Sequence, residues 1–103
     1  MIAPQPAPWQ TRHIYNQFVI RCSDRDGLQA WLKQQGIGSE VYYPLPLHLQ
    51  PCFSSLGYKA GDFPVSERLA AETLALPIHA ELAAEDIDYV CQAIARFYSE
   101  RPA

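Results

Sequence analysis

Two tyrosines and a histidine within a proline-rich stretch, residues 41–51, are the side chains best suited to bind a polar ligand. Tyr42, Tyr43 and His48 carry hydrogen-bonding rings, and the prolines between them hold the backbone near extended geometry. A stiff, extended loop presents these rings at low entropic cost, which suits a binding edge. The alternative is an ordinary proline-rich connection whose aromatic side chains fill the core.

No other stretch of the sequence indicates catalysis or metal binding. The histidines are scattered, with no second ligand at the spacing of a metal site, so no metal is predicted. The lysines are Lys33, predicted on a solvated helix face, and Lys59, predicted in an exposed loop. A lysine that forms a Schiff base needs a desolvated pocket, and neither context indicates one. The residues alone therefore predict no catalytic group.

Length and composition indicate one small globular domain. The chain has 103 residues, of which 49% are hydrophobic and 18% charged. A net charge of −3 without a basic run argues against a nucleic-acid surface. Neither a membrane-length apolar run nor a secretory signal is present, so no membrane association is expected. The cysteines form neither a zinc pattern nor an even disulfide set, which predicts buried or half-buried thiols in the cytoplasm.

Periodicity predicts strands and helices in mixed order. Strands are predicted over residues 13–22 and 37–43, and residues 74–76 are predicted to be a helix end or a very short strand. Helices are predicted from Ser23 or Asp24 to Gln35, with Trp31 and Leu32 in the core, and then over 51–56, from Pro64, and over 84–98.

These elements predict an α/β fold, more specifically a two-layer α+β sandwich. A small sheet of three to four strands is expected, covered by helices. Residues 1–11 are predicted to be a proline-rich arm or linker, residues 12–98 the folded domain, and residues 99–103 a frayed tail.

Several short motifs occur in an order that is similar to that of a known family. They are HIYNQFVIR at 13–21, YPLPLHLQP at 43–51, LGY at 56–58, GDFP at 61–64 and LALP at 74–77. The ordered set resembles the C-terminal small domain of the DegT/DnrJ/EryC1/StrS aminotransferases over about residues 12–98. These are pyridoxal-phosphate-dependent sugar aminotransferases with the aspartate-aminotransferase fold.

The resemblance implies a homodimeric enzyme that transfers an amino group, usually from glutamate, to a keto group on a nucleotide-linked sugar. It also implies that the loop at Tyr42 and Tyr43 reaches towards the bound nucleotide sugar. Tyr42, Tyr43 and His48 are accordingly the predicted substrate-binding residues, expected together on one partly exposed edge. The sequence departs from the family at Tyr42, often histidine, at His79, usually aromatic, and at Ala83, usually serine or threonine.

The resemblance does not extend to the family's large domain, which carries the catalytic lysine and the phosphate-binding groups. That domain is expected to precede Met1, so the chain is expected to be an excised fragment or a truncated reading frame. The chain alone is expected to hold no pyridoxal phosphate and to be inactive. The alternatives are a stand-alone module that binds nucleotide sugars or a full-length aminotransferase, and a non-functional remnant that merely folds.

Self-association is the last expectation from the sequence. A small domain without its large domain would expose the apolar surface that the large domain covers. We therefore expect a homo-oligomer, most simply a dimer. The residues expected at the contact are Trp9, Leu45, Leu47, Leu49 and Phe53.

Overall fold

The computed structural model describes residues 1–100 and combines helices with a small sheet, which confirms the predicted α/β class. Its elements are β1 (Phe18–Arg21), α1 (Arg25–Gln34), two 3-10 helices (Leu47–Leu49 and Pro51–Leu56), α2 (Pro64–Glu72), β2 (Thr73–Leu76) and α3 (Ala84–Ser99). Of the predicted frayed tail, Ser99 ends α3, while residues 101–103 lie outside the described part. Within residues 1–100, no helix is both long and apolar enough to cross a membrane.

The sheet is narrower than the predicted three to four strands. β1 and β2 pair antiparallel along their whole length and form a two-stranded sheet. Each outer edge gains one isolated bridge, from Ile2 to Arg21 beside β1 and from Glu40 to Ala75 beside β2. The predicted second strand, residues 37–43, is thus reduced to its one paired residue, Glu40.

A left-handed residue explains why β1 begins later than predicted. Tyr15 has φ 48°, which breaks the extended backbone before Phe18. The strand predicted from residue 13 therefore does not form there, and Ile14 is 74% exposed. Only the part of the predicted strand that pairs with β2 remains regular.

The core lies where α1 and α3 pack on β1 and β2. Its buried members are Ile20, Cys22, Leu28, Leu32, Ile37, Leu74, Ala93 and Ile94. Full burial of one large aliphatic side chain contributes about 1.5–3 kcal/mol, so a few such residues provide most of the driving force. The prediction of Leu32 as a core residue is confirmed, and Trp31 packs at the rim of the core. The expectation of buried thiols holds for Cys22 but is wrong for Cys52 and Cys91, which are exposed.

A buried arginine ties the start of α1 to the end of α2. Nη1 of Arg25 donates to the carbonyl oxygens of Ala70 at 2.8 Å and of Thr73 at 3.0 Å. These carbonyls lie where α2 ends and β2 begins, and such groups lack partners within the helix. Asp24 caps α1 by accepting a 3.3 Å hydrogen bond from the Gly27 amide. The two caps fix how the chain enters and leaves the helices around the sheet.

Candidate functional site

Tyr42 and Tyr43 lie two and three residues after Glu40, which pairs with Ala75. Their side chains are 52% and 64% exposed. The half-buried Val41 packs against the core and anchors the segment beneath them. A narrow cleft of about 90 Å³ is lined by both tyrosines together. Two of the three residues predicted on one edge, Tyr42 and Tyr43, are thus exposed beside a shared cleft.

Each tyrosine also lines a larger concavity of its own. Tyr42 borders a concavity of about 440 Å³ between the segment before it and the loop after β2. Its polar lining consists of Asn16, Gln17, Ser39, Glu40 and His79. Tyr43 borders a concavity of about 280 Å³ beside α2, which is lined by Leu47 and Leu69 among others. Tyr42 thus borders a concavity with both polar and apolar groups, and Tyr43 borders a mainly apolar one, a mixture found in sites for amphipathic ligands.

His79 and Glu40 belong to this edge but were not predicted to do so. Their positions in the sequence lie far apart, and the Glu40 bridge to Ala75 brings the two segments together. His79 is exposed. No sequence motif indicates that Glu40 and His79 line the same concavity, because their proximity depends on the pairing of Glu40 with Ala75.

His48 is buried, so the prediction that it is partly exposed is wrong. Its side chain is only 6% exposed, because the 3-10 helix Leu47–Leu49 turns the backbone and Phe63 covers the ring. The two ring centroids lie 4.8 Å apart in an edge-to-face arrangement. Nε2 of His48 lies 3.4 Å from Oε2 of Glu67, yet it makes no hydrogen bond of good geometry.

The loop before α2 is held by two carboxylates. Glu67 accepts hydrogen bonds from the amides of Gly61 at 2.9 Å and Phe63 at 3.2 Å. Asp62 accepts from the backbone amide of Lys59 at 2.8 Å and from its ammonium group at 3.1 Å, and these bonds lower the pKa of Asp62. Both acids are turn and helix-start residues, as their positions around Pro64 predict.

The lysines of this chain do not fit the attachment of pyridoxal phosphate. Lys33 is exposed on α1, and the side chain of Lys59 is 81% exposed beside Asp62. A lysine that attaches the cofactor needs burial, which lowers its pKa and excludes water. Between residues 1 and 100, no cluster of three or more histidine, cysteine or acidic side chains is placed to hold a metal ion.

Solved structures indicate the class of protein: this fold matches about a quarter of the length of aminotransferases such as DesV and TlmJ. DesV from S. venezuelae, solved in complex with a ketimine intermediate, matches 99% of this chain with a TM-score of 0.88 at 31% identity, and the match covers 27% of DesV. An aminotransferase from Brucella abortus matches 79% of the chain with a TM-score of 0.70 at 41% identity, over 22% of its own length. The DegT/DnrJ/EryC1/StrS aminotransferase family profile matches residues 1–95, and the chain belongs to this family.

Curated relatives agree with this assignment. The Pleiotropic regulatory protein of Geobacillus stearothermophilus is 56% identical over 84% of this chain and 23% of its own length. The Erythromycin biosynthesis sensory transduction protein EryC1 of Saccharopolyspora erythraea is 42% identical over 84% of the chain and 24% of itself. A UDP-N-acetyl-3-dehydro-α-D-glucosamine 3-aminotransferase of Acidithiobacillus ferrooxidans is 37% identical over 87% of the chain and 24% of itself. The chain thus spans about a quarter of the length of these relatives.

Proposed function

We propose that this chain forms the small domain of a nucleotide-sugar aminotransferase and contributes one edge of its sugar-nucleotide site. The observation that carries the proposal is the pair of exposed tyrosines, Tyr42 and Tyr43, on a shared cleft. Family membership supports the reaction class, since several relatives are named as transaminases of dTDP- or UDP-linked sugars. Catalysis and the cofactor are assigned to a large domain, because neither lysine of this chain lies in a suitable pocket.

The surroundings of the two rings suggest different roles. The concavity at Tyr42 offers amide, hydroxyl and carboxylate groups beside apolar side chains, and the polar groups suit the hydroxyls of a sugar. Tyr43 lies beside apolar side chains, so its ring is suited to stack on a base or a sugar face. His48 is buried behind this edge, and we assign it to a neighbouring cavity rather than to direct contact with the sugar.

Three partners follow from the proposal. The first is the nucleotide-linked sugar, and the second is the large domain of an aminotransferase, joined in one chain or supplied by a full-length enzyme. The third is a second copy of this chain, because several of the residues expected at a contact are exposed. Their exposed fractions are 83% for Trp9, 41% for Leu45, 55% for Leu47 and 39% for Phe53.

Titration of the ¹⁵N-labelled chain with a UDP-sugar and a dTDP-sugar tests the proposal. We expect NMR shifts in residues 38–43 and 75–79, and we expect Tyr42→Ala together with Tyr43→Ala to abolish them. Tyr58→Ala is the matched control, since Tyr58 is 50% exposed, against 52% for Tyr42, but lies away from this cleft. Unchanged shifts in the double variant, or shifts confined to other residues, would reject this edge as the binding site.

A further inference from the structure

Tyr15, the left-handed residue that precedes β1, is held by its neighbour His13. The main-chain amide of Tyr15 donates a 2.9 Å hydrogen bond to Nδ1 of His13. The two rings also stack, with their centroids 4.0 Å apart and their planes at 25°. A residue with a Cβ is disfavoured at the observed φ of 48°, so these contacts with His13 stabilise a conformation that is unfavourable by itself.

The hydrogen bond fixes the protonation state of the His13 ring. A backbone amide can only donate, so the ring nitrogen that accepts from it must carry a lone pair. Nδ1 is therefore unprotonated in this conformation, and the proton of the neutral ring lies on Nε2. Protonation would turn Nδ1 into a donor that faces another donor. The bond to Tyr15 and the charged form of His13 thus exclude each other.

Few charges surround His13. In the described part of the chain, no carboxylate lies at ion-pair distance from its ring, and Arg12 is adjacent in sequence. The other titratable groups beside this segment are Glu40 and His79, which line the concavity at Tyr42, and the exposed Cys91 of α3. Histidine is the side-chain type whose charge ordinarily changes between about pH 5 and pH 8, so a pH experiment has to separate His13 from His79.

The backbone at Tyr15 connects two hollows of the surface. The Tyr15 ring lines an apolar cavity of about 290 Å³ beside α3, together with Phe18. Asn16 and Gln17 line the concavity beside Tyr42. Successive side chains of an extended strand point to opposite faces, so a change of Tyr15 from left-handed to extended backbone would redirect the residues next to it. One backbone position therefore sets the lining of both hollows.

We propose that His13 and Tyr15 form a pH-sensitive switch at the start of β1. While His13 is neutral, its Nδ1 holds Tyr15 left-handed, and Asn16 and Gln17 lie in the concavity. When His13 is protonated, the bond is lost, Tyr15 turns towards extended geometry, and Asn16 and Gln17 leave their places. The held state is present above the pH at which His13 titrates and disappears as pH falls through that value.

Nuclear magnetic resonance of the ¹⁵N-labelled chain observes this bond directly. A scalar coupling between the Tyr15 amide nitrogen and Nδ1 of His13 passes through the hydrogen bond, so we expect it at about pH 8 and not at about pH 5. After correction for the intrinsic effect of pH, exchange of the Tyr15 amide should become about fivefold faster when the bond is lost. The amide resonances of Asn16 and Gln17 should shift with the same midpoint as the His13 ring.

Two variants separate the acceptor from the ring. His13→Asn keeps a side-chain acceptor and does not titrate, so Tyr15 should remain left-handed at every pH. His13→Phe keeps a ring that can stack but has no acceptor, so the Tyr15 amide should exchange at the faster rate at every pH. His79→Gln is the control for the second histidine and should keep the transition at Tyr15.

Several outcomes would overturn the switch. They are absence of the coupling at about pH 8, its persistence at about pH 5 with His13 protonated, a transition that survives in His13→Asn or His13→Phe, and a transition that His79→Gln removes. The switch does not depend on ligand binding, whereas any effect on a nucleotide sugar rests on the function proposed above. Failure of nucleotide sugars to bind would therefore reject that function and leave the switch intact.

Discussion

The indole N–H of Trp31 donates a 2.8 Å hydrogen bond to the main-chain carbonyl of Ala93, and this bond joins α1 to α3. The ring of Phe97 lies 6.5 Å from that indole, and the guanidinium carbon of Arg96 lies 5.5 Å from its centroid. Trp31 therefore combines apolar packing with one directional bond at the rim of the core. Both contributions can be separated by substitution.

Trp31→Ala should destabilise the domain by about 3 kcal/mol, because it removes a large ring that packs between two helices. Trp31→Phe keeps an aromatic ring and loses the bond to Ala93, so its cost should be about 1 kcal/mol. Urea unfolding followed by circular dichroism measures both values. An unchanged unfolding midpoint for Trp31→Ala would show that the Trp31 side chain does not stabilise the domain.

The first turn of α3 carries half of a capping box. Oδ2 of Asp86 accepts a 3.2 Å hydrogen bond from the Ala83 amide, but Ala83 has no side-chain oxygen to return the bond. Ala83→Ser should therefore stabilise the domain by about 1 kcal/mol. Ala84→Ser, one residue inside the helix, is the control and should give no gain. Equal melting temperatures for Ala83→Ser and Ala84→Ser would contradict the capping argument.

The helices were predictable from the sequence because their signals are local, except the 3-10 helix Leu47–Leu49, which lies in the stretch predicted to be extended. Pro64 begins α2 and Gly57 ends the second 3-10 helix, each at the position that its backbone preference predicts. The length of β1 was not predictable, because φ 48° at Tyr15 interrupts the extended backbone with no turn signal such as glycine. The burial of His48 was missed for a similar reason: it depends on Phe63, which reaches the ring only through the folded loop.

The loop before α2 should lose part of its order in acid. The Lys59 amide and then its ammonium group hold the pKa of Asp62 below its ordinary value. Because the folded pKa is lowered, the stabilisation is present above the ordinary pKa and disappears as pH falls through the folded value. The ¹³C shift of the carboxyl carbon should titrate at a lower pH in the folded chain than in urea.

The Lys59→Ala variant separates the two causes of this shift. It removes the ammonium group and keeps the backbone amide, which is the larger contributor. The pKa of Asp62 should therefore rise only partly towards its ordinary value. Complete return to that value would assign the effect to the side chain, and no change would assign it to the amide alone.

The three cysteines should differ in reactivity. Burial raises the pKa of the Cys22 thiol, which keeps it protonated and protected, whereas Cys52 and Cys91 are exposed. A thiol reagent such as iodoacetamide at neutral pH should modify Cys52 and Cys91 in the folded chain and leave Cys22 intact. Peptide mass spectrometry locates the products, and unfolding in urea should make all three equal. Labelling of Cys22 at the rate of Cys52 would contradict its burial.

Pyridoxal phosphate should form no specific covalent adduct with this chain. Lys33 and Lys59 are both exposed, so neither lies in a water-excluding cavity that could hold the ring. Incubation with the cofactor followed by borohydride reduction should modify lysines without preference for one of them. The extent of modification should not fall when the chain is unfolded in urea. A stable absorbance band, with stoichiometric modification of one lysine that disappears on unfolding, would show instead that the chain builds a cofactor site by itself.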